Sequence, residues 1–182
     1  MQTYCFTIQP LSAFGTPLAG DTLFGQLCWT LRNQLGNDRL NALLQNYTSG
    51  APFAVVSDAM PAGHVPLPAV PSSLWTAQKE EGRKLLKKKR WLPHAAMTQP
   101  FAHWQAAACG DAEVAAQKER AQPHNTINRQ TGTTGDGQFA PYAQTQIWFK
   151  AETRFDVHVV LDEARLSLAD LTAALDAMGT TG

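Results

Sequence analysis

The chain predicts an α+β fold, a small sheet backed by helices, and three observations lead there. Residues 4–8 alternate Tyr4, Phe6 and Ile8 with Cys5 and Thr7, the period-two mark of a half-buried strand. Leu23, Phe24, Leu27, Cys28, Leu31 and Leu35 then recur at helical spacing on one face. Near the other end the alternation returns in Phe155, Val157, Val159 and Leu161, followed by a helical face of Leu168, Leu171, Leu175 and Met178.

Each element has a local cause. Pro10 ends the first strand, and a loop with Gly15 and Pro17 follows. Asp21 is the expected N-cap of the first helix and Gly36 its stop. A second, short helix is expected over 38–47 with Leu40, Leu43 and Leu44 inward, then a strand over 53–56 leading into Ser57-Asp58. From Met60 the texture changes. Pro61, Pro66, Pro68, Pro71 and Pro93 punctuate a stretch without sustained periodicity until about residue 137, which reads as a functional or partly disordered insertion. Residues 138–149 read as a strand that the turn 150–154 joins to 155–161 in an antiparallel pair. Ser167 and Asp170 form a capping box for the last helix, which Gly179 is expected to end.

The order is therefore β-α-β-β-α with a large irregular insertion at about 64–137. It is one strand short of a ferredoxin-like (RRM-type) β-α-β-β-α-β unit. The closing strand of that arrangement lies at a sheet edge beside the first strand. Its absence leaves ladder groups there without a partner.

Composition narrows the function classes. An apolar fraction of 44% supports a core in a chain of 182 residues, and fifteen basic residues balance fifteen acidic ones. No global field draws the protein to nucleic acid or membrane, so any electrostatic attraction is local. Cys5 and Cys28 fall in apolar patterns and read as small buried hydrophobes. With Cys109 the cysteine count is odd and no C-x-x-C occurs, which fits a reducing cytoplasm better than a disulfide scaffold. The first residues carry no basic n-region, and no apolar run approaches a membrane span. The expectation is a soluble cytoplasmic protein.

The five histidines, His64, His94, His103, His124 and His158, lack metal-ligand spacing, and no P-loop, G-x-G-x-x-G or nucleophile elbow is present. No metal and no cofactor are expected. Three local features point to nucleic acid. The first is residues 79–91, seven cations against two anions with Trp91 at the end, either a solvated linker or an electrostatic footprint with a stacking surface. The second is residues 124–134, where His124, Asn125, Arg129, Thr131 and Thr133 surround a single aliphatic side chain, Ile127. Composition leaves this as a polar surface loop or as a set of donors for phosphate and 2′-hydroxyl groups, with Gly132 permitting close backbone approach. The third is Asp21 to Gly25 at a helix start, where free N–H groups suit an anion but Asp21 reads better as a structural cap.

These residues together resemble the CRISPR-associated RAMP superfamily, its Cas-five group, and within it the subunit of the type III-A (Csm) interference complex. Phe14-Gly15-Thr16-Pro17-Leu18-Ala19-Gly20-Asp21-Thr22-Leu23-Phe24-Gly25-Gln26-Leu27-Cys28-Trp29 is close to the family opening S-D-T-L-F-G-x-L-C-W, with Gly20 in place of Ser. Pro52-Phe53 and Ser57-Asp58-Ala59-Met60-Pro61-Ala62-Gly63 follow, with Pro66, Pro68 and Pro71 beyond. Lys87-Lys88-Lys89-Arg90-Trp91-Leu92 and His124-Asn125-Thr126-Ile127-Asn128-Arg129 complete the ordered set. The resemblance implies two ferredoxin-like domains, of which residues 1–182 are the N-terminal one. The family's Gly-rich loop, closing strand and second domain lie beyond the sequence. It also implies a non-catalytic subunit that grips the 5′ handle of the crRNA, docks on the large Cas-ten subunit and lays a thumb-like hairpin over the guide against the backbone RAMP subunit. On that view Lys84, Lys87, Lys88, Lys89, Arg90, His124, Asn125, Arg129, Thr131 and Thr133 face RNA. The enzymatic rival is a RAMP endoribonuclease that processes precursor crRNA with His124 as general base.

Overall fold

The structure is a computed structural model that describes all residues except 72–73, 75–83, 85, 136 and 182. It is an α+β protein whose chain divides into two compact units: Met1–Ile8 with Leu18–Gly63 and Phe155–Gly182, and Gln9–Pro17 with His64–Arg154.

The first unit is built around a strand late in the chain. Strand β1 (Gln2–Ile8) leads to helices α1 (Gly20–Leu35) and α2 (Asn37–Leu44), then to the short strands β2 (Ala54–Val56) and β3 (Met60–Pro61). Strand β9 (Phe155–Leu161) returns from the second unit and lies between β1 and β2, antiparallel to both; β3 also pairs with it. Its Phe155, Val157, Val159 and Leu161 are all buried. Val157, Val159 and Leu161 join Leu27 and Leu31 of α1, Leu43, Phe53, and Leu171 and Ala174 of the last helix, α5 (Leu168–Thr181), in one core cluster. The helices cover one face of the sheet. Cys5, on the other face, is exposed, and Cys28 on α1 is only half-buried, so the two expected buried hydrophobes are not core residues.

Several local expectations hold. Gly36 stops α1 at φ +86°, with its N–H donating to Arg32 O at 2.9 Å. The Ser167 hydroxyl accepts the Asp170 N–H at 3.1 Å, one half of the capping box read from sequence, and donates to Asp170 Oδ2 at 2.8 Å. Helix α5 continues through Gly179 to Thr181, past its expected end. The expected second helix is shorter: α2 stops at Leu44, and a separate 3₁₀ turn spans Tyr47–Ser49. Arg165 closes that end. Its Nη1 donates to Ala51 O at 2.6 Å, and its Nη2 to Ala42, Leu43 and Gln45 carbonyls at 3.0, 2.5 and 3.0 Å. A cation there answers the unpaired carbonyls of the α2 terminus.

The start of α1 is built differently from expectation. Ala19 is the N-cap and makes no side-chain cap. Asp21 lies inside the first turn, where its Oδ1 accepts the N–H of its neighbour Thr22 at 2.6 Å and the Thr22 hydroxyl at 3.3 Å. The capping carboxylate comes from Asp58, which accepts the Gly20 N–H at 2.6 Å. Gly20 is seated so closely that a Cβ would fall 2.7 Å from Val56 O and 3.0 Å from the Ser57 carbonyl carbon.

The expected hairpin between 138–149 and 155–161 is not formed. Strand β8 (Tyr142–Phe149) pairs instead with β7 (Gln117–His124), and β9 belongs to the other unit. The apolar alternation of β9 takes it to the core, whereas the sequence of β7, QKERAQPH, offers no apolar face to match. Nor is the segment from His64 irregular throughout. Strands β4 (His64–Pro66), β5 (Lys89–Pro93) and β6 (Cys109–Gly110) form a three-stranded sheet, with helices α3 (Phe101–Ala107) and α4 (Asp111–Val114) beside it. These elements span two to seven residues, too short for periodicity to register. No described helix is long and apolar enough to cross a membrane.

The two N-terminal glycines of α1 test this packing with opposite signs. Gly20→Ala should destabilise by about 1–3 kcal/mol through overlap with backbone that cannot swing aside. Gly25→Ala, whose Cβ meets nothing within 4 Å, should stabilise by up to ~1 kcal/mol through helix propensity. Urea unfolding of both variants measures this, and a Gly20→Ala chain as stable as wild type would contradict the close seating.

Candidate nucleic-acid interface

The basic segment splits once its side chains are placed. Lys79 to Arg83 lie outside the described residues, while Lys84, Lys87 and Lys88 are exposed. Lys89 opens β5, and its Nζ donates to the Gln105 and Ala106 carbonyls at 2.9 and 3.4 Å. It thereby caps the C-terminal end of α3, where a cation meets the negative end of the helix dipole. Arg90 pairs with Asp111, Nη1 to Oδ2 at 3.3 Å. The Trp91 indole N–H donates to Asp111 Oδ1 at 2.6 Å, and the ring is half-buried. Lys89, Arg90 and Trp91 thus hold β5 against α3 and α4, while Lys84, Lys87 and Lys88 are exposed and have no ion-pair partner among the described residues.

The second candidate segment sits at the tip of the β7–β8 ribbon. His124 ends β7 and stacks on its cross-strand partner Tyr142, ring centroids 5.3 Å apart and 15° between planes. Its Nε2 is buried without a hydrogen-bond partner. Beyond it the chain closes on itself. Asn128 Oδ1 accepts the Gln130 N–H at 2.9 Å, the Asn128 N–H donates to Thr133 O at 3.0 Å, and the Gly132 N–H donates to Asn128 O at 2.8 Å. Gly132 takes φ +68°, so it serves the turn. The Thr131 and Thr133 hydroxyls lie 3.0 Å apart and bond to each other, while Asn125 and Arg129 are exposed and Ile127 projects at 57% exposure. Among the described residues, no hydrogen bond or ion pair joins this loop to the basic turn.

The ribbon itself carries residues that periodicity missed. Lys118 and Arg120 on β7, and Tyr142 and Trp148 on β8, are all exposed. Their one sequence signal is the spacing of Tyr142, Gln144, Gln146 and Trp148 at every second position of β8; β7 gave none. The third candidate, the α1 N-terminus, already holds the chain's own carboxylate, Asp58. Burial pushes the Cys28 thiol up, and burial with the nearby Asp156 does the same for Cys5, so both are held as poorly nucleophilic thiols. Among the described residues, no group of three His, Cys, Asp or Glu side chains is placed to hold a metal ion.

No protein-family model and no curated protein matches the chain. Among solved structures, it is similar to a chain of the Csm1–Csm4 cassette in complex with cA4. The TM-score is 0.63 at 16% identity, over 98% of this chain and 66% of that one. The fold is shared with a chain of the Csm1–Csm4 cassette. The cassette with pppApA matches with a TM-score of 0.61 at 16% identity, over 97% and 67% of the two chains. The cassette with one ATP matches with 0.60 at 15% identity, over the same shares. The chain spans about two thirds of the length of the cassette chains it matches.

The Asp111 junction is testable by stability. Arg90→Ala removes an exposed ion pair and should cost at most about 1 kcal/mol. Asp111→Ala also strands the Trp91 N–H and should cost about 1–3 kcal/mol. Equal urea midpoints for the two variants would contradict the indole hydrogen bond.

Proposed function

We infer that the chain is a non-catalytic RNA-binding structural subunit of a type III-A CRISPR interference complex. In this reading it corresponds to the N-terminal part of Csm subunit four, serves antiviral defence in the cytoplasm, grips the 5′ handle of the crRNA and docks on the large Cas-ten subunit. The observation that carries it is the likeness to cassette chains over nearly the whole of this chain. The strand order β1-β9-β2, antiparallel throughout, supports reading the first unit as the β-α-β-β-α part of a ferredoxin-like arrangement. The β7–β8 ribbon supports reading the second unit as the thumb-like insertion beside the backbone RAMP subunit. RNA-facing roles go to Lys84, Lys87, Lys88, Asn125, Arg129, Thr131 and Thr133. Lys89, Arg90 and His124 act behind them as positioning residues. The Nε2 of His124 is shielded, so the endoribonuclease reading would have to place the general base at Nδ1 of that ring.

Labelled crRNA with and without its 5′ handle, titrated with the chain alone and with its complex partners, tests this. Tighter binding of the handle-bearing RNA is expected. If Lys84, Lys87, Lys88 and Arg129 each meet a phosphate, log K should fall with log salt at a slope of about −3. His124→Ala should change no cleavage, since none is expected. RNA cleavage by the wild-type chain, or no binding in any combination, would sink the reading.

A further inference from the structure

We propose that one face of the β7–β8 ribbon is a stacking surface for unpaired RNA bases, formed by Trp148 and Tyr142 with Lys118 and Arg120 alongside for the phosphates. This rests on the RNA-binding reading above and names the surface, the form of nucleic acid and the mode of recognition. It is distinct from the loop at the ribbon tip to which handle recognition is assigned.

The register sorts the ribbon's chemistry. Lys118 opposes Trp148, Arg120 opposes Gln146, and His124 opposes Tyr142. Directly opposed residues, and every second residue along a strand, project on the same face. Both cations and both exposed aromatic rings therefore share one face. The ribbon's single carboxylate, Glu119, opposes Ile147 and lies on the other face with Ala121, Pro123, Ala143 and Thr145. Among the described residues neither Lys118 nor Arg120 has a carboxylate partner; the one described ion pair is Arg90 with Asp111.

Tyr142 and Trp148 are 55% and 41% exposed. His124 stacks on one side of the Tyr142 ring, which orients the phenol at no expense to its outward side. The two rings stand six residues apart on β8, roughly 20 Å along the strand. That is too far for one base, so a single strand must run along the ribbon to engage both.

The open edge of the ribbon argues for the face as the binding surface. β7 is exposed along almost its whole length, yet Pro123 lacks the N–H that an added strand needs, and Lys118 and Arg120 discourage edge pairing. A flat face with cations and separated rings suits unstacked bases, every one of which has a π-face. Recognition of this kind is tolerant of sequence and excludes a duplex, whose bases already stack on one another.

The test uses labelled oligo(U), which has no handle, against the full chain, with duplex RNA and labelled oligo(Glu) as comparison probes. Oligo(U) should bind and duplex RNA should bind more weakly. Trp148→Leu and Tyr142→Ala should each weaken oligo(U) binding roughly tenfold or more with the salt slope unchanged, while Trp148→Phe retains it. Lys118→Gln with Arg120→Gln should instead reduce the salt slope by about 1.4. The ratio of handle-bearing to handle-less affinity should stay constant in the Trp148 and Lys118/Arg120 variants.

Wild-type affinity for oligo(U) that none of these substitutions changes would overturn the proposal, as would failure to bind oligo(U) at all. The latter result with handle binding intact leaves the crRNA-subunit reading standing. Oligo(Glu) binding as tight as oligo(U) binding would also overturn it, by reducing the face to a cationic patch. Loss of the handle ratio with oligo(U) binding unaltered would move handle recognition onto the ribbon and defeat the stacking assignment.

Discussion

The joint between the start of α1 and the exit of β2 is the contact on which the first unit depends. Gly20 lies against the backbone of Val56 and Ser57, and Asp58 accepts its N–H. The same few residues bind in two further directions. The Ala59 N–H donates to Leu18 O at 2.9 Å, while Ser57 exchanges bonds with His158 of β9, its N–H donating to His158 O and its Oγ accepting the His158 N–H. One short loop thereby ties the helix to the central strand. Helix α1 supplies Leu27 and Leu31 to the core, and β9 supplies Val157, Val159 and Leu161. A side chain at position 20 would push the start of α1 off the backbone of Val56 and Ser57, through which the loop reaches β9.

That joint changes the meaning of the sequence signatures. The segment around Gly20-Asp21 and the segment around Ser57-Asp58 look like independent motifs, and a polar pair before a helix invites a ligand-binding reading. In the fold they are two halves of one structural contact. The helix N-terminus is occupied by Asp58, so the motif marks architecture. The binding chemistry proposed for the chain draws instead on the second unit, on Lys84, Lys87 and Lys88 and on the ribbon with its loop.

How much was legible in the sequence follows from where each segment finds its energy. Strands β1 and β9 and helices α1 and α5 bury an apolar face, so their period is written in their hydrophobic residues and was readable. Strand β7 buries almost nothing; it is held by backbone pairing with β8, which leaves no side-chain period to read. The partner of β8 was therefore misassigned to the nearest apolar strand. The basic run shows a similar limit. Composition counts charges but not their distances, so Lys89 and Arg90 were indistinguishable from Lys87 and Lys88 until α3 and Asp111 were placed beside them. The loop at 124–134 was recognised by its hydroxyls and amides, yet the bonds that close Asn128 onto Thr133 depend on backbone geometry that composition does not encode.

The ribbon also raises a question of stability that bears on its use. A two-stranded hairpin without a covered apolar face is marginal in water. This one has an anchor at its root, where Phe14 bridges to Ile147 through paired backbone bonds of 3.0 and 2.8 Å and packs edge-on to Phe149 at 6.3 Å. From there to His124 and Tyr142 the side chains of both strands are largely open to solvent. Evolution of a free-standing ribbon toward stability alone would place apolar cross-strand pairs on one face. Here one face carries cations and separated rings, and the other, beyond Ile147 and Phe149 at the root, carries small residues with one carboxylate. Neither face forms a core, and the first has the composition of a contact surface whose apolar rings are covered only when something stacks on them. On the stacking proposal, the local stability given up along the ribbon is the counterpart of the surface it offers to unpaired bases.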